Sequence, residues 1–245
     1  MQQYNLGFIS DTLIFKHVRE TVLLYKNYID LKEFNSNLID PIKLTFDAKV
    51  YGKTFEEIIE SECVRQIDKS NTNHIGYFHQ NLFNYAGNGW RVPQKGFDVV
   101  NDDRKIFVEM KNKHNTMNSS SAQATYMKMQ NQLIKDPQST CMLVEAIAKK
   151  SQNIIWEAKL NGVQYRHERI RRVSMDKFYE IVFDDQYAFM KLCKALPVIL
   201  DDVIAETHKG TVNNTVYREL KRISSDTLKS LYLLAFETYE GFYKL

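Results

Sequence analysis

Apolar residues change their spacing twice along the chain. Over about the first ninety residues they recur at helical intervals. Ser10 or Asp11 stands at an N-cap position before LIFKHVRETVLLYKNYI, in which Leu13, Val18, Val22 and Leu23 fall near one helical face. Thr54, with Glu57 three residues on, forms a capping box ahead of FEEIIESECVRQI, the hydroxyl and carboxylate each satisfying a free amide at the helix start. A polar run at 69–73 predicts a break. Beyond it HIGYFHQNLFNYAG predicts another helix, closed by Gly87, Asn88 and Gly89, with Tyr77, Phe78 and Phe83 in the core.

Between about 90 and 173 the pattern turns to strands: WRVPQKGFDVV, KIFVEMKNK, TCMLVEAIA, then IIWEAKL and VQYRHERI joined by the hairpin signal Asn161-Gly162. The helical run SSSAQATYMKMQNQLIK separates the second strand from the third, with serines placed to cap it. From 174 helices return in MDKFYEIV, in QYAFMKLCKALPVILDDVIAE with Pro197 interrupting, and in TVYRELKRISSDTLKSLYLLAFETYEGF. The expected fold is α/β (α+β), a central mixed sheet flanked by helices. It forms one domain over 1–245, with a mainly helical part at 1–89, a sheet core at 90–173 and a helical part at 174–245.

Three charges break the strand pattern. If KIFVEMK is a strand, Phe107, Glu109 and Lys111 share one face and Ile106, Val108 and Met110 the other. A hairpin through a four-residue loop at 102–105 sets Asp98 opposite Glu109. Two carboxylates then meet beside an ammonium. Without a cation such carboxylates repel, so the set makes best sense around a divalent metal; Mg²⁺ accepts carboxylates and leaves positions for water and phosphate. Lys111 would stabilise charge on a phosphodiester or orient the attacking water. The bare motif is cheap, since Glu157-Ala158-Lys159, Glu219-Leu220-Lys221 and Asp47-Ala48-Lys49 share its form. What distinguishes the Asp98 set is its two strands, the preceding acidic residue and the apolar opposite face.

Composition bounds the rest. The 245 residues are 44% hydrophobic and 26% charged, enough for a sizeable core, and the net charge of +3 says little by itself. Two local clusters say more: Arg104, Lys105, Lys111 and Lys113 against Glu109, and Arg166, Arg169, Arg171 and Arg172 against Glu168. Cys63, Cys141 and Cys193 are far apart and odd in number, which predicts reduced thiols rather than disulfides or a zinc site. No signal-like N-terminus or run of apolar residues long enough for a membrane is seen, so no membrane association and a cytoplasmic location are expected.

Asp98 with Glu109-Met110-Lys111 is similar to the PD-(D/E)XK nuclease signature. The longer run GFDVVNDDRKIFVEMKNKHNTMNSSSAQATYMKMQNQL resembles the catalytic segment of Type II restriction endonucleases that cut within 5′-GGNCC-3′. The likeness extends through LKEFNSNLIDPIKLTFDAKVYGKTFEEIIE, IGYFHQN, CMLVEAIAKKSQNI and RRVSMDKFYEIV, most of the chain. Phe97 replaces the nominal proline of the signature, a position of shape rather than chemistry. The resemblance implies a homodimer that hydrolyses both strands of double-stranded DNA with Mg²⁺, Mn²⁺ substituting, and works beside a cognate DNA cytosine methyltransferase. Asp98 and Glu109 would bind metal and Lys111 assist the water. A further acidic residue from an upstream helix would be Glu57 or Glu62, with Glu60 the remaining candidate.

The donor-rich segment after Lys111 supplies the DNA-contact candidates Lys113, His114, Asn115, Asn118 and Gln123, joined by Arg166, Arg169, Arg171 and Arg172. In a strand, alternate arginines face opposite ways and cannot share one role. His74 and His79, five residues apart, are poorly spaced as helical metal ligands and are expected to pack or to contact DNA. A structure-directed repair nuclease and a non-catalytic DNA-binding protein of the same fold are the competing functions.

Overall fold

The computed structural model describes residues 3–114, 116–160, 162–207, 211–239 and 242. In chain order its elements are α1 (Asp11–Leu24), β1 (Tyr28–Ile29), α2 (Leu31–Ser36), α3 (Pro41–Tyr51), α4 (Phe55–Leu82), β2 (Trp90–Arg91), β3 (Val99–Asn101), β4 (Ile106–Lys113), α5 (Ser119–Lys135) and β5 (Thr140–Ile147). There follow β6 (Asn153–Ile155), β7 (Ala158–Leu160), β8 (Val163–Tyr165), β9 (Ile170–Ser174), α6 (Met175–Phe183), α7 (Ala188–Thr207), β10 (Asn213–Asn214), α8 (Val216–Ile223) and α9 (Thr227–Phe236). They form two compact units, Met1–Leu23 with Ile75–Thr207, and Leu24–His74 with His208–Leu245.

The first unit is built on a six-stranded mixed sheet of order β2-β3-β4-β5-β9-β6, with β4, β5 and β9 parallel and the other pairings antiparallel. One face, through Val99, Val108, Val144 and Val173, packs on Ile14, Phe83, Phe178, Tyr179 and Ile199 from the surrounding helices. On the other face Cys141, Leu143 and Ile170 meet Tyr126, Met129 and Leu133 of α5, with Trp156 and Leu160 closing the cluster. A sheet buried on both sides suits its apolar central strands. In the second unit Phe34, Leu44, Ile59, Cys63, Val216 and Leu231 form a separate helical core, and β1 pairs with β10 in parallel.

Several local expectations hold. Ser10 Oγ accepts the Leu13 N–H at 3.3 Å, and the Thr54–Glu57 box is complete, with Thr54 N–H on Glu57 Oε2 at 2.8 Å and Glu57 N–H on Thr54 Oγ1 at 3.2 Å. Gly87, Asn88 and Gly89, all at positive φ, end the helical region. β7 and β8 form the expected hairpin, of which Asn161 lies outside the described residues.

Other boundaries move. The run at 69–73 does not break α4, which is continuous over 28 residues. It contains no proline or glycine, and the Asn71 side chain exchanges hydrogen bonds with the Lys26 backbone at 2.8 and 3.0 Å, so its amide is satisfied without leaving the helix. Pro197 lies inside an unbroken α7. WRVPQKGFDVV is two short strands separated by a loop, not one. The last helical run divides at Asp226, whose carboxylate caps α9 through the N–H groups of Leu228 and Lys229. α5 is capped by Asn118, which accepts the Ser121 N–H, rather than by its serines. Phe78 and Phe83 are core residues, but Tyr77 is 57% exposed.

Candidate active site

β3 and β4 pair as Val99–Val108, Val100–Phe107 and Asn101–Ile106 around the turn at 102–105, the register the charge pattern implied. The turn is held by Asn101 Oδ1, which accepts the Arg104 N–H at 2.9 Å, and by Lys105 at a φ of 53°. Regular pairing ends at Val99, the residue that follows Asp98. There the Asp98 N–H donates to the Val108 carbonyl at 2.8 Å and Asp98 Oδ2 accepts the Met110 N–H at 2.7 Å. Asp98 is thereby fixed to the backbone on either side of Glu109.

Glu109 is 7% exposed. Burial raises its pKa above the ordinary carboxylate value; hydrogen bonding from Lys128 opposes this, the charge of Asp98 adds to the rise, and Lys111 lowers it. Lys111 Nζ lies 3.8 Å from Glu109 Oε2, and Lys128 Nζ is ion-paired with Oε1. The Lys128 ammonium also donates to the Gly96 carbonyl at 2.7 Å and sits 4.6 Å from the centre of the Phe97 ring. One strand over, in the parallel register that pairs Lys111 with Glu145, the buried Glu145 meets Arg172 and, at 3.0 Å, His114 Nδ1. Burial would raise the pKa of Glu145, but Arg172 and His114 outweigh it and hold the carboxyl low. Two carboxylates and two ammonium groups thus gather at one end of the sheet, with an ion-pair cluster beside them.

The sequence model of the Eco47II restriction endonuclease family matches residues 6–205. The chain belongs to that family. It is 33% identical over 214 residues to the Type II restriction enzyme Sau96I of Staphylococcus aureus, a match spanning 81% of each chain. To the Type II restriction enzyme Eco47II of Escherichia coli it is 30% identical over 215 residues, covering 82% of this chain and 89% of the other. As a member of the family it is a Type II site-specific deoxyribonuclease, and it binds DNA. That selects among the functions the charge pattern left open.

The rival motifs lie in other settings. Glu157 is exposed and paired with Arg166 at 3.1 Å, Asp47 and Lys49 lie on α3, and Glu219 and Lys221 on α8. Glu57 is committed to the capping box, and Glu62 is bound by Arg65 at 2.6 Å and Gln66 at 3.0 Å. Among the described residues no three His, Cys, Asp or Glu side chains converge as a metal cluster, and no helix is long and apolar enough to cross a membrane.

The DNA-contact candidates separate. Lys113 is exposed at the end of β4, whereas His114 is drawn into the Glu145 cluster. The side-chain oxygen of Asn118 is occupied by its cap, the Gln123 amide lies 3.9 Å from Met127 Sδ, and Asn115 is outside the described residues. Arg169 donates to the Gln138 carbonyl at 2.9 Å, Arg171 to Asn153 Oδ1 at 3.0 Å, and Arg172 to Glu145, so Arg171 and Arg172 do serve opposite faces. His79 packs as expected, Nδ1 at 2.9 Å from the Tyr179 hydroxyl. Lys128 and Glu145 escaped sequence reasoning. Glu145 carried the same signal as Glu109, a charge inside an apolar strand. Lys128 carried a weaker one, since it only flanks the stripe of Thr125, Met129 and Leu133.

Proposed function

We propose that the enzyme hydrolyses phosphodiester bonds in both strands of double-stranded DNA at 5′-GGNCC-3′, with Asp98 and Glu109 holding Mg²⁺ and Lys111 assisting the attacking water. The observation that carries this reading is the pinning of Asp98 against β4 beside the buried Glu109, with Lys111 on the same strand. The donor set fits a hard dication: carboxylate oxygens, with Glu109 buried; burial first and the charge of Asp98 second raise the pKa of Glu109, and a cation between the two carboxylates would relieve both. Bound there, Mg²⁺ or Mn²⁺ would supply Lewis acidity and make water a stronger nucleophile. Lys111, on the partly exposed side of the pair, orients that water and stabilises negative charge on the non-bridging phosphate oxygens. Glu57 and Glu62, both engaged elsewhere, are left out of the metal set.

Lys113 is proposed as a phosphate contact on account of its exposure, and Asn115 and Gln123 as candidates for base edges. Resemblance of the catalytic segment to GGNCC-cutting enzymes supports the site. A host carrying such an enzyme needs its own sites modified, hence the pairing with a cytosine methyltransferase.

The test is digestion of DNA of known sequence with Mg²⁺, with Mn²⁺ or in excess chelator, followed by mapping of the ends. Ends confined to GGNCC and formed only with metal are expected. Ends at another sequence would remove the assigned site, and undiminished cutting in chelator the metal.

A further inference from the structure

Lys128 joins three parts of the site through one nitrogen. From α5 it reaches the Gly96 carbonyl at 2.7 Å, the Glu109 carboxylate and the face of Phe97. The side chain is 35% exposed and borders a cleft of about 570 Å³ lined also by Met127, Asn131 and Lys135. Its contacts with Gly96 and Phe97 do not involve Glu109, so the ammonium has both neighbours and space if it gives up the carboxylate.

We propose that Lys128 is a positioning residue that neutralises Glu109 in the metal-free enzyme and competes with the divalent cation for that carboxylate, moving towards the cleft as the cation enters. The proposal rests on the metal-binding reading of Asp98 and Glu109. A buried carboxylate left without a partner is costly, and Lys128 supplies that partner. An ammonium and a dication on the same carboxylate repel one another, so each weakens the binding of the other, most strongly for the ammonium in direct contact. Lys111, 3.8 Å from the other oxygen, is not in hydrogen-bond contact and can stay.

The experiment is calorimetric titration of Mn²⁺ into the DNA-free protein, comparing wild type with Lys128→Met, Lys128→Arg and Asp98→Asn. Lys128→Met keeps an apolar stem against Phe97 and removes the charge. Mn²⁺ should then bind about tenfold more tightly, as expected when one adjacent like charge is removed from a half-buried site. Lys128→Arg should bind Mn²⁺ as weakly as wild type. In chelator Lys128→Met should melt at a lower temperature than wild type, and Mn²⁺ should restore the difference. If its circular dichroism is not native, Lys128→Gln, equally neutral and still able to donate to Gly96, takes its place in the titration. Unchanged or weaker Mn²⁺ binding in the folded neutral variant, with binding lost in Asp98→Asn, overturns the role of Lys128 alone. Wild-type binding in Asp98→Asn overturns the metal assignment and this proposal with it.

Discussion

Each carboxylate of the candidate site has a second job in the fold, and this separates the expected outcomes of its substitutions. Asp98 accepts a backbone N–H from Met110, so Asp98→Ala removes a hydrogen bond worth about 1 kcal/mol as well as a proposed metal ligand, whereas Asp98→Asn can keep an acceptor. Asp98→Asn, Glu109→Gln and Lys111→Met should each cut cleavage by about a thousandfold or more while leaving a native circular dichroism spectrum. The triple variant should be little worse than any single one, because the groups act as a unit. Normal cutting by these variants, with loss in Glu157→Gln and Lys159→Met, would move the site to the other motif. A different residue, His79, should contribute to stability against pH. Burial, and then the nearby His17, lower the pKa of His79 from 6.5 to about 4. The unfolded chain therefore takes up this proton near 6.5 and the folded chain only near 4, so stability should fall as pH drops through that window and level off below it. Urea unfolding at pH 7 and pH 5 should show a smaller pH difference in His79→Leu than in wild type; an equal difference would place the linkage elsewhere. Residues with an anomalous charge in an apolar run could be read directly from sequence, as Asp98, Glu109 and Lys111 were. Lys128 could not, because a lysine at the margin of an amphipathic helix is ordinary until the carboxylate it reaches is known.

At the level of elements, strand period and turn length together set the register of the candidate site. The four-residue loop at 102–105 and alternation along β4 were enough to pair Val99 with Val108 and to bring Asp98 beside Glu109. Its local departure at Asp98, where the amide turns to the Val108 carbonyl, depends on hydrogen bonds that alternation does not encode. Helix interruptions were harder to read for a physical reason. Polar residues stop a helix only when their side chains compete successfully for its backbone, and Asn71 is satisfied by Lys26 instead. Asn118 illustrates the opposite case, a polar residue at a helix entrance that acts as the cap. It starts the helix that carries Lys128 to Glu109, so the cap supports the site at a distance. Asn118→Ala should lower stability by about 1 kcal/mol, while Asn118→Ser or Asn118→Asp should recover most of it. Cleavage should follow stability across the three variants. A selective loss of cognate DNA binding in the stable Asn118→Ser protein would instead give Asn118 a DNA contact beyond its cap.

For the whole molecule the constraint is symmetry. A site of the form GGNCC reads alike on both strands apart from its central pair, and one chain carries one candidate catalytic set. Cutting both strands symmetrically therefore calls for two chains related by a twofold axis through that central pair, each reading a half-site of two G·C pairs. In the major groove guanine presents two acceptors and cytosine a donor, which suits a cationic side chain together with an amide or acidic one. Of the arginines between 166 and 172, Arg169 and Arg171 donate to backbone or asparagine oxygens and Arg172 to Glu145, so they are better placed to hold the sheet end in shape than to reach bases. Lys113 is exposed, and Lys113→Ala should weaken cognate and non-cognate binding alike and reduce the salt slope, as loss of a phosphate contact does. Sedimentation of the enzyme with a short GGNCC duplex in Ca²⁺, which allows binding while its longer oxygen contacts disfavour turnover, should give two chains per duplex. Saturation at one chain per duplex would exclude the twofold arrangement, and would require a single chain to cut the two strands in succession.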